Sequence, residues 1–153
     1  MIQWKEEIII NTHIEKVWSL FLDKNIKKIM PKVEEHNLIE KNENEVGAKH
    51  QQTYREGKRL ESYIVETLAY EDTETYKKKQ IHFILANAFV TNLTFIVEKI
   101  DDQHTKFIYE GSNAGINFIG RAMLKLGNPK GNNLKVVHEF LKRVEQEAMK
   151  VQE

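Results

Sequence analysis

Three polar side chains that alternate along one short segment are the first candidates for chemistry. His50, Gln52 and Tyr54 occupy every second position, so an extended strand places all three on one face. The intervening positions include Lys49 and Arg55, whose charged ends favour water. We therefore predict that His50, Gln52 and Tyr54 face inward, where a few polar groups in an apolar pocket orient a ligand. The alternative is a strand exposed on both faces near the edge of a sheet.

A second set of candidate ligand-binding groups is spread over other predicted strands: Tyr63, His82 and Tyr109. A histidine exchanges protons near neutral pH because its unperturbed pKa is ~6.5. A buried tyrosine needs a partner for its hydroxyl group. The ordinary alternative is a core histidine or tyrosine that a backbone carbonyl satisfies. His82 stands between Ile81 and Phe83, which leaves open the face on which it lies.

Four further positions complete the candidate ligand-binding set. Asn92 and Thr94 interrupt an apolar run from 89 to 97, and either line a cavity or face solvent on a half-buried strand. Met123 belongs to the apolar face of the first C-terminal helical segment. His138 borders the apolar seam of the second segment, where it either looks into the pocket or lies at its rim.

Other kinds of site are not indicated by the sequence. It contains no His-Glu-x-x-His, no Gly-x-Ser-x-Gly and no phosphate-binding glycine loop. The six histidines are scattered without metal-ligand spacing, and the absence of cysteine excludes thiolate nucleophiles and cysteine-ligated centres. We therefore expect no metal centre and no cofactor, and the catalytic residues, if any, stay unknown.

Composition narrows the class of protein. The 153 residues fit a single domain over 1–153. The 23 basic side chains equal the 23 acidic ones, whereas a nucleic-acid binder usually carries a basic excess, so we expect no nucleic-acid partner. Apolar runs are far shorter than the ~20 residues of a membrane span. The sequence opens without the basic and apolar regions of a secretory signal, so we expect a soluble, cytoplasmic protein.

The first part of the chain shows one strand and two helices. Residues 2–11 carry apolar side chains at alternate positions, as in a strand. Thr12 and Glu15 have the spacing of a capping box ahead of a helix. Asp23 can cap a second short helix, which Pro31 ends because the residue before a proline avoids helical angles.

The remainder of the chain changes from strand to helix. Between 33 and 112, runs of β-branched and aromatic residues are separated by polar turns that are too short for crossover helices. This pattern predicts six antiparallel strands. Residues 116–151 have helical periodicity with a break at 127–129, which either kinks one helix or separates two.

The order of these elements resembles the helix-grip fold of the START and birch-pollen-allergen superfamily. Within it, the chain looks most like small bacterial proteins of the polyketide cyclase/dehydrase type. The family often has a proline after the first strand, where this sequence has His13. The motifs that carry the resemblance are short but span nearly the whole chain: Ile10 to Trp18, Asp23, Val46-Gly47-Ala48, Thr105 to Tyr109 and Leu141 to Glu145.

The resemblance implies an α+β fold in which a seven-stranded curved antiparallel sheet wraps around a long C-terminal helix. It places two short helices between strands 1 and 2. It also implies a cavity between helix and sheet. Relatives use such cavities to carry lipids, sterols or plant hormones, to convert polyketides, or to engage protein partners, so the fold does not choose the function.

We predict that the protein binds a small hydrophobic or aromatic molecule, lipids included, in this cavity. One alternative is a polyketide cyclase- or dehydratase-like enzyme that uses His50, Tyr54, His82 and Tyr109 as acid–base groups in the same cavity. A second is a protein-interaction or chaperone-accessory domain. A homodimer is left open.

Overall fold

The computed structural model describes residues 1–41, 43–126 and 129–150. A curved sheet of seven strands packs against one long C-terminal helix, and two short helices lie between the first two strands, as predicted. In chain order the elements are β1 Ile2–Ile10, α1 Ile14–Ser19, α2 Ile26–Ile29, β2 Val33–Glu40, β3 Lys49–Glu56, β4 Arg59–Asp72, β5 Tyr76–Leu85, β6 Phe89–Asp101, β7 His104–Gly115, α3 Phe118–Met123 and α4 Pro129–Ala148.

The strands form one antiparallel sheet in the order β1-β7-β6-β5-β4-β3-β2. Strands β2 to β7 follow one another as a meander, because the links between them are too short for a helix. Strand β1 then pairs with β7, so that the first and last strands are neighbours. The sheet therefore has two edges, β1 and β2, and the candidate strand β3 lies next to the second.

The hydrophobic core lies between the inner face of the sheet and the helices. Phe140 of α4 packs against Tyr109, with ring centroids 4.7 Å apart. Phe21, which follows α1, packs against Phe95 at 4.9 Å. One side of α4 is buried because its apolar residues recur at helical spacing: Val137, Phe140, Leu141, Val144 and Ala148.

The C-terminal region resolves the alternative that the sequence left open, because α3 and α4 are separate helices. Gly127 and Asn128 of the predicted break lie outside the described residues. No helix within the described ranges combines the length and apolar character needed to cross a membrane.

Two helix caps differ from the prediction. Helix α1 is capped by His13 and not by Thr12, since the His13 side chain accepts a hydrogen bond from the Glu15 amide at 3.1 Å. Asn25 and not Asp23 is the N-cap residue of α2, and its side chain makes no capping hydrogen bond. The Asp23 carboxylate is occupied elsewhere, as described below.

The turn between β5 and β6 generates a test of the fold. Ala86 and Asn87 both have positive φ, 55° and 52°, as the two central residues of a type I′ turn do, and the turn lies within the three-residue connection 86–88. This conformation is sterically unfavourable for alanine, whereas glycine adopts it without a steric penalty. We expect Ala86→Gly to raise the free energy of unfolding by about 0.5–1 kcal/mol in urea denaturation.

Ala88 supplies the matched control for this turn. It is buried and is not among the residues with positive φ, so Ala88→Gly should lower the free energy of unfolding. Equal destabilisation by both substitutions would contradict the turn geometry.

Candidate functional site

A cavity of about 300 Å³ lies between α4, the inner face of the sheet and the segment that follows α2. Most of its wall is apolar or aromatic, and polar groups converge at a few points, as in small-molecule sites. The side chains that define it include Gln52, Tyr54, Tyr63, Leu93, Tyr109 and Phe140. Tyr63 and Phe83 form one wall as a stacked pair, with ring centroids 4.6 Å apart.

Gln52 connects this cavity to a second group of polar residues. Its Nε2 donates to the Tyr63 hydroxyl oxygen at 2.8 Å. Its Oε1 lies 2.8 Å from Nδ1 of His36, and that nitrogen donates because a carbonyl oxygen can only accept. Within the described residues, the Tyr63 hydroxyl has no acceptor for its own proton. That proton is therefore free to bind a ligand oxygen.

The second group is centred on the Asp23 carboxylate, and we call Asp23, His36 and His50 the histidine–aspartate cluster. Nε2 of His36 lies 3.2 Å from Asp23 Oδ1, and Nε2 of His50 lies 2.8 Å from Oδ2. The two imidazole rings are stacked, with centroids 4.5 Å apart and planes inclined by 16°. Both histidine side chains are buried, whereas Asp23 is half exposed.

Three elements supply this cluster. Asp23 lies in the link between α1 and α2, His36 lies on β2, and His50 lies on β3. On the β2–β3 ladder His36 pairs with Gln52, and His50 lies two residues earlier on β3 and faces the same way. This register stacks the two rings face to face, with both next to Asp23.

Electrostatics at the site follow from burial and these hydrogen bonds. The close contact with His36 and then the hydrogen bond with His50 hold the pKa of Asp23 well below its usual range, although burial opposes them. Burial lowers the pKa of Lys79, which the charge of Asp23 partly offsets. Burial raises the pKa of Tyr54 to about 12. It also raises the pKa values of Tyr63 and Tyr109, so these hydroxyls stay protonated donors near neutral pH.

Half of the predicted ligand-binding residues lie on the inner face of the sheet. Gln52, Tyr54, Tyr63 and Tyr109 line the cavity. His50 is buried on the same face but belongs to the histidine–aspartate cluster. His50 faces inward because side chains alternate along β3, and its neighbours two residues away, Ala48 and Gln52, are also buried.

The other five predicted residues lie elsewhere. His82 is on the outer face, where it contacts Glu66 at 3.1 Å, because its neighbours Ile81 and Phe83 face inward. Asn92 pairs with His82 across the ladder and shares that outer face, and Thr94 follows two residues on. The remaining two are exposed on the helices: Met123 on α3, and His138 on α4, whose Nε2 is 3.9 Å from Glu6.

His36 and the role of Asp23 were missed by the sequence reasoning. The spacing of the histidines along the chain contains no metal-ligand motif. Strands β2 and β3 are neighbours in the sheet, but their ladder carries two register irregularities that fix which residues pair. The contact therefore depends on details of the ladder that period-two reasoning does not contain.

Comparison with known proteins agrees with this architecture. No protein-family model matches the sequence, and no curated protein matches it. Among solved structures, the Zhui aromatase/cyclase from Streptomyces sp. R1128 superposes with a TM-score of 0.71 at 12% identity, over 95% of this chain and 92% of that one. The lipid transfer and protein localization domain of human StarD13 gives 0.74 at 7% identity, over 97% and 78%. The chain has the helix-grip fold.

A conserved protein from Geobacillus kaustophilus shares this fold, with a TM-score of 0.67 at 18% identity over 96% of this chain and 95% of that one. The fold that the sequence resemblance implied is thereby confirmed. At these identities the similarity establishes the fold alone, so the function has to be argued from the site.

The raised pKa of Tyr109 predicts how stability changes at high pH. The unfolded tyrosine ionises near pH ~10, whereas burial keeps the folded one protonated to higher pH. Between these two values the unfolded state binds fewer protons, so stability falls as pH rises. Phenylalanine has no such group. We therefore expect Tyr109→Phe to lose less thermal stability than the wild type between pH 7 and pH ~11.

Tyr76 provides the matched control, since burial also raises its pKa but it is only partly buried on β5. Tyr76→Phe should give a smaller protection than Tyr109→Phe. An alkaline loss of melting temperature that is identical in wild type and Tyr109→Phe would contradict the buried, protonated hydroxyl.

Proposed function

We propose that the protein binds a small hydrophobic or aromatic molecule in the cavity between α4 and the sheet. The observation that carries the proposal is the cavity itself, whose volume of about 300 Å³ lies at the lower end of the range for small-molecule sites. This volume favours a compact ligand over a long lipid chain. Similar solved structures support the idea, since they include an aromatase/cyclase and a lipid transfer domain.

The lining indicates which features the ligand should have. The apolar surface of Leu93, Phe83 and Phe140 favours rings or branched hydrocarbon. The Tyr63 hydroxyl can donate its proton to an oxygen acceptor on the ligand, whereas the Tyr54 hydroxyl is hydrogen-bonded to Glu56. Arg143 of α4 also borders the cavity, and its Nη1 donates a hydrogen bond to the Ile29 carbonyl oxygen at 3.4 Å. An acidic or carbonyl oxygen on the ligand would therefore be tolerated at that side.

The acid–base alternative receives less support from the geometry. It requires His50, Tyr54, His82 and Tyr109 to meet in one pocket. His82 lies on the outer face and His50 is directed to Asp23, so only the two tyrosines border the cavity. The interaction-domain alternative and a homodimer stay predictions, for which the exposed Phe118 and Ile119 of α3 are the relevant surface.

Filling the cavity tests the proposal. Leu93 lines it from β6, and Leu93→Phe adds ring volume inside. A thermal-shift panel of fatty acids, sterols, isoprenoids, flavonoids and aromatic polyketides should first give a stabilising compound. A ligand at a hundredfold its Kd stabilises the native state by ~2.7 kcal/mol. We expect Leu93→Phe to weaken calorimetric binding of that compound at least about tenfold, an effect of ~1.4 kcal/mol.

Leu68→Phe is the control, because Leu68 is exposed and absent from the cavity lining. It should bind the compound as the wild type does. A panel without any stabilising compound, or a compound whose affinity is equal in both variants, would count against a binding site in this cavity.

A further inference from the structure

The histidine–aspartate cluster has the composition and dimensions of a metal site. Its three ligand atoms, one from each residue, all lie within 4.8 Å of one another. The two nitrogen–oxygen distances are 3.2 and 2.8 Å. Ligands bound to one zinc ion at the usual bond lengths lie ~3.4 Å apart in a tetrahedron. The side chains can therefore enclose an ion with small movements.

The hydrogen bond to Gln52 prepares His36 as a ligand. Nδ1 of His36 donates to Gln52 Oε1 at 2.8 Å, and the other end of that amide donates to the Tyr63 hydroxyl. In the neutral ring this leaves a lone pair on Nε2, which points at Asp23 Oδ1. Two acceptors at that distance need a cation or a further proton between them. Metal-bound histidines commonly donate their other nitrogen to such a carbonyl oxygen.

The stacked rings restrict which cation can fill this place. The stacking disfavours an additional proton on both histidines, since two like charges would then lie at a centroid separation of 4.5 Å, and leaves either one proton on His36 or a metal ion. One divalent ion instead binds both rings in their neutral form and is balanced in part by Asp23. Lys79 is the nearby cation that opposes it, because its charge also acts on Asp23.

The donor set selects the kind of metal. We propose that Asp23, His36 and His50 bind one divalent transition-metal ion of the zinc, iron, cobalt or nickel type. Two imidazole nitrogens and one carboxylate oxygen suit these ions, whereas calcium and magnesium prefer oxygen ligands alone. Three protein ligands leave a coordination position open, unlike a closed structural zinc site. The half-exposed Asp23 gives the ion access from solvent.

This proposal stands apart from ligand binding in the cavity, and it replaces the sequence-based expectation that there is no metal centre. With the Gln52 amide reversed, His36 would donate from Nε2 to Asp23, and the cluster would be complete with protons alone. The experiments below separate these two arrangements.

Metal titration of tag-free, chelator-treated protein is the first test. Zinc in a calorimeter, and cobalt followed by visible absorption, should each bind with one equivalent. We expect Asp23→Asn and His50→Gln to weaken zinc binding at least about tenfold, because each removes or disables one ligand. Far-ultraviolet circular dichroism checks that the variants are folded.

Two surface pairs provide matched controls, since each has one histidine beside one carboxylate. His82 contacts Glu66 at 3.1 Å and His104 contacts Asp101 at 2.7 Å. His82→Gln and His104→Gln should bind zinc as the wild type does. The proposal is overturned if the wild type binds no zinc, or if Asp23→Asn and His50→Gln bind it unchanged.

A second measurement on the wild type alone guards against variants that do not fold. Histidine ¹H–¹⁵N spectra report the protonation of each ring nitrogen. Without metal, His36 should carry its proton on Nδ1, and zinc should shift the Nε2 signals of His36 and His50 but not those of His82 or His104. An Nε2-protonated His36 that does not respond to zinc would establish the arrangement without an ion.

Discussion

Buried polar side chains on β3 need hydrogen-bond partners, and the arrangement of the site depends on this requirement. The alternation of the strand turns His50 and Gln52 toward the protein interior, where an unpaired polar group is costly. Asp23 supplies the partner for His50 and for His36, and Gln52 joins His36 to Tyr63. These contacts tie the link after α1 to the β2–β3 edge of the sheet. Without them, the inner face of β3 would be a row of unsatisfied groups.

The same constraint divides the space under the helix into two chemically different parts. On one side, aromatic and aliphatic side chains of β4 to β7 and α4 leave a cavity with an apolar wall. On the other, the histidine–aspartate cluster forms a compact polar group that reaches solvent through Asp23. Gln52 lies between the two parts, since its Nε2 contacts Tyr63 in the cavity and its Oε1 contacts His36 in the cluster. A ligand that accepts a hydrogen bond from Tyr63 would therefore be connected to the cluster through Tyr63 and Gln52.

Much of the fold could be predicted because it follows from local patterns. Runs of β-branched and aromatic residues between polar turns predict the antiparallel sheet, and the helical periodicity after the break at 127–129 predicts α4. The inward face of β3 followed from Lys49 and Arg55 on the opposite side. The same rule applied to β5 places His82 outward, since its neighbours Ile81 and Phe83 are the apolar pair. Element type is thus encoded locally and strongly.

The histidine–aspartate cluster could not be predicted in this way because it is a tertiary contact. Asp23 and His50 are 27 residues apart, and their meeting depends on how α1 packs on the sheet. His36 reaches the cluster through a ladder with irregular register. Asp23 also has the composition of a helix cap, and that local role was the simpler interpretation. Tertiary packing overrode the local preference.

A double-mutant cycle on Asp23 and His50 tests most directly whether their contact organises the site. The free energies of unfolding of wild type, Asp23→Asn, His50→Gln and the double variant would be measured in urea at pH 7, with a chelator present. Hydrogen bonds to charged groups contribute ~1.5–3 kcal/mol, and the half-exposed Asp23 lowers the expected value. The account predicts a coupling energy of at least about 1 kcal/mol. Additive effects within ~0.3 kcal/mol would contradict it.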